Sequence, residues 1–439
     1  VSDTNYKIKQ KNKPLKNLTM KAYHFLLATA AASTLMMTSC KKDDKTTTTD
    51  PVKPTDTTLS GEVSGTWTKN GVYHISGDII IPEGKSLTIE AGAKVIFDAN
   101  AKPEFLVKGN LYSLGTADAP VTLTVDDNKK QAFGLQWGGI LAGPTCQELL
   151  LDHTIIEQGG NVTTEESASV KAGFYKAEAG DRVPVLWYGG TGKVVVTNCT
   201  IRDFGEDGFY IEGGSVLIDH NSMATTGIDN GDAINIKSGV HADIAYNLVY
   251  APNTNALKLS NSGDRPIQAY VFGYNNTILN CGWRRPTTKG GSIWVEKLVK
   301  AEIYNNLIVN DRYGIKRDKT NREDPSSLFA NNYYYGYNQT TVDQFQPSDD
   351  IITGTNDIIS ATVGANDPKF VSYPLNTDPN NATYTATWDF HIGATSPAVG
   401  HGKTNFAPHF AAAGITFSSI GKTYNSPAPA TYIGAFGTN

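Results

Sequence analysis

Tyr274-Asn-Asn276-Thr-Ile278 and Tyr304-Asn-Asn306-Leu-Ile308 are one pattern written twice. It occurs in looser form as Val196-Thr-Asn198-Cys-Thr-Ile201, Ile218-Asp-His-Asn221-Ser-Met223, Ala245-Tyr-Asn247-Leu-Val249 and Ala330-Asn-Asn332-Tyr-Tyr334. The asparagines at 198, 221, 247, 276, 306 and 332 thus recur every 23 to 30 residues, and a fixed period of that size marks a repeat architecture. A second beat falls between them: a turn, a small residue, then alternating apolar positions, as in Asp207-Gly-Phe-Tyr-Ile211, Asp232-Ala-Ile-Asn-Ile236, Asn255-Ala-Leu-Lys-Leu259 and Gly291-Ser-Ile-Trp-Val295. One such repeat cannot bury its inward face alone. Stacked coil on coil, each strand bonds in parallel to its equivalents above and below, and the inward side chains merge into one core. The pattern therefore predicts an all-β solenoid of about ten parallel coils, spaced about 4.8 Å apart. It also predicts a structural ladder of Asn198, Asn221, Asn247, Asn276, Asn306 and Asn332, each amide bridging to the next coil. Leucine-rich repeats share the period, but their Leu-x-x-Leu-x-Leu spacing is missing.

Upstream, strand signals begin at Val72-Tyr-His-Ile75 and continue through Asp78-Ile-Ile-Ile81, Ser86-Leu-Thr-Ile89 and Lys94-Val-Ile-Phe97, punctuated by Pro82-Glu-Gly84 and Ala91-Gly92. Before them, residues 40–58 are Thr, Lys, Asp and Pro with hardly an apolar side chain, too few to offset the entropy of ordering, and read as a disordered tether. Residues 20–39 open on Met20-Lys21, carry an apolar run from Ala22 to Met37, and end Met37-Thr38-Ser39 before Cys40. The run is too short to span a bilayer and has the layout of a signal peptide. Residues 1–19 are lysine-rich, lie ahead of a plausible start at Met20, and are set aside from the fold. The folded part is then expected over 59–439.

Charged residues make up 18% of the chain, hydrophobic ones 39%, and the formal net charge is −5; no basic footprint for nucleic acid exists. Cys146, Cys199 and Cys281 cannot all pair, and no Cys-x-x-Cys suggests zinc. Two polar segments, Glu157–Val185 and Asp311–Ser327, break the repeat, and insertions in solenoids usually sit on one face.

Two family resemblances are carried by these residues. Met37-Thr-Ser-Cys40 resembles the lipobox of bacterial lipoproteins, and Lys41-Lys-Asp-Asp44 resembles the export tag of surface lipoproteins in the Bacteroidetes group. That resemblance implies lipidation at Cys40, a membrane attachment through the lipid, and an outward-facing outer-membrane location. The rest resembles the right-handed parallel β-helix, or pectate-lyase-like, superfamily. The carriers are Leu87-Thr-Ile89, Gly92, Val95-Ile-Phe97, Phe105-Leu-Val107, Gly109, Gly115-Thr116, Pro120-Val-Thr-Leu123 and Trp137-Gly-Gly-Ile140 at the front. At the back they are Asp367-Pro-Lys-Phe-Val371, Asp389-Phe-His-Ile392, Ser396-Pro-Ala-Val399 and Tyr432-Ile-Gly-Ala-Phe436. The resemblance spans about residues 60–437 and implies a right-handed parallel β-helix whose partner is an extracellular, acidic polysaccharide. It leaves three functions open: a glycan-binding surface protein, a polysaccharide lyase or glycoside hydrolase, and a structural or adhesive rod.

Asp232-Ala-Ile-Asn-Ile-Lys237-Ser238 resembles the segment that carries the lysine base in alginate-lyase and chondroitinase-type β-helix enzymes. Where that family follows with Arg-His-Gly about one coil later, this chain has Leu257-Lys-Leu-Ser260-Asn-Ser, with Lys258 and Arg265 nearby. Lys237, Lys258 and Arg265 are the catalytic candidates on that basis. Glu206, Asp207, Asp229 and Asp232 fall at turns of successive coils. They could serve a hydrolase or hold calcium through oxygen ligands, or simply act as turn residues. Cys281-Gly-Trp283-Arg284-Arg285-Pro286 joins an indole to paired guanidinium groups, suited to sugar faces and carboxylates, and Trp187, Tyr188 and Trp294 would extend the strip. The same loop reads equally as packing, with Trp283 over a coil edge and the arginines capping carbonyls.

Overall fold

The computed structural model describes residues 56–438 except 176, 177 and 288. Cys40 and residues 41–55 lie outside the described residues. The first strand, Asp56–Glu62, begins ahead of the boundary expected at residue 59 because it pairs in parallel with Val72–Ile81.

Each coil carries three strands, as in Lys193–Thr197, Thr200–Phe204 and Phe209–Ile211. The first strands of successive coils make a ten-stranded sheet running from Gly65–Trp67 to Leu328–Ala330. The second and third strands join into a sheet of 19. All pairings between coils are parallel, and the result is a right-handed parallel β-helix. Inward positions stack by register: Val194, Val216, Ala242, Val271 and Ala301 lie one above another and belong to one continuous core. β-branched and small side chains suit this stack because each strand is buried on its inner face by identical neighbours.

The turn between first and second strands is held by side chains. The Asn221 backbone N–H donates to Asn247 Oδ1 at 3.1 Å, Asn247 to Asn276 at 3.0 Å, Asn276 to Asn306 at 3.1 Å and Asn306 to Asn332 at 3.1 Å. Each Nδ2 also donates to the same oxygen of the next coil and back to a strand carbonyl, as Asn276 does to Ile244. Asn198 is not a rung. It is exposed, has a φ of 56°, and its neighbour Cys199 takes the ladder place, donating its N–H to Asn221 Oδ1 at 2.9 Å. The residue before each rung is left-handed: His220, Tyr246, Asn275, Asn305 and Asn331 have φ between 51° and 57°. Asn-Asn doublets therefore divide two tasks, the first residue tolerating the left-handed turn and the second bridging coils.

After the last coil the chain runs back along the helix and covers two of its three outer faces. Ile415 and Phe417 pack on Tyr112, Leu150, Val195 and Leu217 of the first strands. Phe390 and Ile392 pack with Tyr250, Leu279, Val309 and Tyr335 of the second strands. A buried carboxylate fastens this segment: Asp243 accepts from Ser426 Oγ at 2.5 Å, the Phe410 N–H at 3.0 Å and the His409 N–H at 3.2 Å. Among the described residues no helix is long and apolar enough to cross a membrane.

Two substitutions check the ladder against the left-handed turn. Asn276→Ala removes the acceptor of the Asn247 N–H and one donor to the Ile244 carbonyl and should cost about 1–3 kcal/mol in denaturant unfolding. Asn198→Gly, at a positive φ and outside the ladder, should leave stability nearly unchanged.

Candidate functional site

The third outer face is the one the returning chain leaves open, and strand register fixes what stands on it. Trp187, Tyr210, Asn235, Lys258, Trp294 and Lys316 align across six coils. They point outward because their neighbours, Phe209 and Ile211 or Leu257 and Leu259, are fully buried in the core. At the start of the same strands stand Glu206, Asp207 and Asp232. Gly208 permits this close stacking, since a Cβ there would meet the Ala233 carbonyl oxygen at 2.3 Å.

Asp207 accepts the Asp232 N–H at 2.6 Å and Asn235 Nδ2 at 3.0 Å, and Asp232 accepts the Asn255 N–H at 3.0 Å and its Nδ2 at 2.7 Å. Glu206 accepts from Asn230 Nδ2 at 3.1 Å. Burial pushes the carboxyls of Glu206 and Asp207 well above the usual carboxylate range, and mutual repulsion, with Asp232 close by, adds to it. Lys237 follows the strand Ile234–Ile236, is only 8% exposed, and sets its ammonium 4.9 Å from the centre of the Tyr210 ring. Burial, helped by neighbouring Lys258, lowers its pKa to about 8, against the pull of Asp207, Asp232 and Glu296. Lys258 is half-buried and makes no salt bridge to a described residue.

The segment 157–185 folds over one end of this face. Tyr175 meets the Tyr210 ring edge-on at 5.0 Å, and Arg182 donates to Asp229 Oδ2 at 3.1 Å. With Asp181, Glu206 and Asn230 these residues enclose a pocket of about 250 Å³. The face thus carries, at one end of the third strands, an amine whose charged form burial disfavours with Tyr210 beside it, and, at the other end, carboxyls that resist ionisation.

Several expected site residues are elsewhere. Arg265 packs on the turn that follows Lys237, its N–H donating to Ser238 Oγ at 3.2 Å and its Cδ lying 2.4 Å from where a Cβ at Gly239 would be, but its guanidinium is taken up by the Gly189 carbonyl. Trp187 is 5% exposed, covered by Phe174 and donating to Glu212 at 2.7 Å, and Tyr188 is a core residue bonded to the Cys146 carbonyl. Trp187 thus heads the outward column under a cover, and Tyr188 faces the core. Arg284 caps the carbonyls of Thr226, Gly227 and Ala251 at 2.7 to 3.0 Å, and burial lowers its pKa to about 10. Trp283 Nε1 donates to the Asn310 carbonyl at 2.6 Å, and Arg285 holds the Asp229 carbonyl and Asn230 Oδ1, both at 2.7 Å. For Trp283 and Arg284 the packing alternative describes the geometry. Trp294 stays on the open face, half-buried, bonded to Glu296 at 2.9 Å.

Calcium finds no cage here. Among the described residues no group of three or more His, Cys, Asp or Glu converges to hold an ion. Asp229 turns to Arg182, and the Asp207 and Asp232 oxygens are engaged by amides. Asp311–Ser327 is not wholly an insertion either, since Asp311 is buried with Oδ1 accepting the Cys281 N–H at 2.7 Å, and Lys316–Arg317 continues the column of third strands in the 19-stranded sheet.

Sequence reasoning did not single out Tyr175, Arg182, Tyr210 or Asn235. Tyr210 and Asn235 hold the outward place of the second beat, and Arg182 lies in the polar break 157–185, so the signals were present without a way to align them.

Residues 58–269 match a family model described as a pectate-lyase like beta helix domain. No curated protein matches the chain. Among solved structures, the crystal structure of pectate lyase Pel9A is similar at 12% identity and a TM-score of 0.39, covering 84% of this chain and 87% of that one.

The carboxyl pair sets a pH signature. Glu206 holds its proton in the fold at pH values where the unfolded chain has released it. Its contribution to stability is therefore greatest below the ordinary carboxylate range and is lost as pH rises through its raised folded pKa. Glu206→Gln cannot ionise and keeps an acceptor for Asn230. In thermal unfolding its stability relative to the parent should climb as pH rises from about 5 to about 9, whereas parallel profiles would show an ordinary carboxylate.

Proposed function

We propose that this protein is a surface-anchored β-helix lipoprotein that binds an acidic extracellular polysaccharide along its open face and cleaves it by β-elimination. The observation that carries the reading is Lys237, whose charged form burial disfavours, set on one strip with Lys258 and with carboxyls that hold their protons. The family model matched over 58–269 supports a polysaccharide as the partner. In this reading Lys258 faces the uronate carboxylate and offsets its charge. The free amine of Lys237 takes the proton from the ring carbon beside that carboxylate. The electron pair forms the carbon–carbon double bond, the glycosidic C–O bond breaks, and Tyr210, whose ring centre lies 4.9 Å from the Lys237 ammonium, gives its phenol proton to the leaving oxygen. Hydrolysis is the second reading, favoured by two adjacent carboxyls with raised pKa values, Glu206 as acid and Asp207 as base.

Polyuronates incubated with the purified protein should yield unsaturated ends that absorb in the ultraviolet, and Lys237→Met should lower that rate by about 10²–10⁴-fold. The rate should rise as pH passes about 8, where Lys237 loses its proton. New reducing ends without unsaturated product would replace elimination by hydrolysis; neither product, with binding retained, would leave a glycan-binding protein.

The anchor rests on the lipobox-like Met37-Thr-Ser-Cys40. Cys40→Ser should move the protein from the membrane fraction to the soluble one, because acyl chains supply the attachment. A Ser variant that still pellets with membranes counts against lipidation at this residue.

A further inference from the structure

A second cavity lies around the corner from Glu206. Asp203 ends the second strand of the coil whose third strand begins after Asp207, so the turn 204–206 separates the two sites. The cavity measures about 420 Å³ and is walled by Phe133, Arg202, Asp203, Thr225 and the Ala382–Tyr384 stretch of the returning chain. Four observations distinguish it from a packing gap.

Its backbone is held in unfavourable conformations. Phe133, Gly134 and Leu135 are successively left-handed at φ 62°, 69° and 67°, and Asp203 and Thr225 follow at 56° and 59°. For a β-branched or bulky residue that region is costly, and such positions persist where surrounding structure enforces them. Here the Leu135 N–H donates to the Gly159 carbonyl at 3.0 Å, the Gln136 N–H to the Gln158 carbonyl at 2.8 Å, and a Cβ at Gly134 would lie 2.3 Å from the Asp203 carbonyl oxygen. The equivalent turn at the following coils holds Ala251, Asn280 and Asn310, of which the two asparagines tolerate the conformation.

Both aromatic walls are braced from behind. The Arg284 guanidinium sits 4.8 Å from the centre of the Phe133 ring while capping three carbonyls, and Tyr384 packs 5.7 Å from both Tyr250 and Trp388. The polar member is free. Asp203 makes no side-chain hydrogen bond or salt bridge to a described residue, and burial raises its pKa from the usual carboxylate value. Finally, the cation in the wall is already engaged, since Arg202 pairs with Glu157 at 2.7 Å, a carboxylate it shares with Lys130.

Two fixed aromatic side chains with one unengaged carboxyl suit a hydroxyl-rich, uncharged ring. A uronate would set its carboxylate against Asp203, with the one guanidinium in the wall already drawn to Glu157. We infer that this cavity is an accessory subsite for a neutral sugar unit, with Phe133 and Tyr384 offering apolar faces and Asp203 accepting hydroxyls. It rests on the polysaccharide reading above, and it adds a binding place on a different face from the acid–base strip.

Calorimetry with neutral galacto- and manno-oligosaccharides of increasing length tests it on the full protein. The parent should bind at least one series. Tyr384→Ala and Phe133→Gly should each weaken that binding by about tenfold. Phe133→Gly is the informative variant, because glycine adopts a φ of 62° without strain and should leave thermal unfolding close to the parent while removing the ring. Unchanged affinity in both variants, or no binding of any neutral oligosaccharide by the parent, overturns the subsite. Turnover of polyuronates, read separately, reports on the acid–base strip, so failure of one assignment is distinguishable from failure of the other.

Discussion

The bond from a backbone N–H in one coil to an asparagine oxygen in the next is the constraint on which the rest of this structure depends. A parallel β-helix has no local turn chemistry that locks one coil over another; strands alone could slide. The Asn221-to-Asn332 column removes that freedom, because an amide both donates and accepts and so continues the ladder in either direction. The ends are residues that terminate it. Cys199 ends the run of asparagines, giving its N–H to Asn221 while its Sγ accepts the Thr154 N–H of the preceding coil at 3.4 Å, and at the other end Asp357, an acceptor, takes both the N–H and the Nδ2 of Asn332. Every rung is buried, so a slip of one residue would strand a donor and an acceptor in each coil.

A locked register turns one-dimensional alternation into columns on a surface. Tyr210, Asn235 and Lys258 are 23 to 25 residues apart in the chain and neighbours in space. The returning C-terminal chain then sorts the faces: two become packing surfaces and one stays available. Desolvation on that remaining face acts on every titratable group against its charged form. It raises Glu206 and Asp207 and lowers Lys237, so a single cause brings an acid and a base toward the same pH range. Fixed coils hold these groups in place without contribution from flexible loops, and the segment 157–185 needs only to roof one end.

The left-handed turns separate economical positions from enforced ones. Where asparagine or glycine occupies them, the conformation follows from the residue. At Thr225, Phe133 and Leu135 it does not, and neighbouring carbonyls and glycines impose it. Some of those enforced positions border one cavity, and others, such as Tyr246, Ala251 and Leu298, lie elsewhere along the helix.

The sequence by itself determined the solenoid, its approximate ten coils and most of its ladder, because a parallel stack repeats the same local environment and so prints a period into the chain. Asn247, Asn276 and Asn306 were legible for that reason; Asn198 was misread because Cys199, one position on, fills the rung and breaks the residue pattern without breaking the geometry. Lys237 and the carboxyls Glu206, Asp207 and Asp232 could be named as candidates from spacing, but not that they share a strip, nor that Asp229 turns away to Arg182. Trp283 and Arg284 looked like ligand groups because residue type says nothing about which carbonyls lie within reach; only the stacking of three coils placed those of residues 226, 227 and 251 under one guanidinium. Which faces are open was decided by the C-terminal segment, which repeats nothing and whose path depends on contacts up to 272 residues away in the chain, such as Tyr424 with Asp152. Period is a local property and survives in sequence; the choice of which surface meets solvent is a long-range packing outcome and does not.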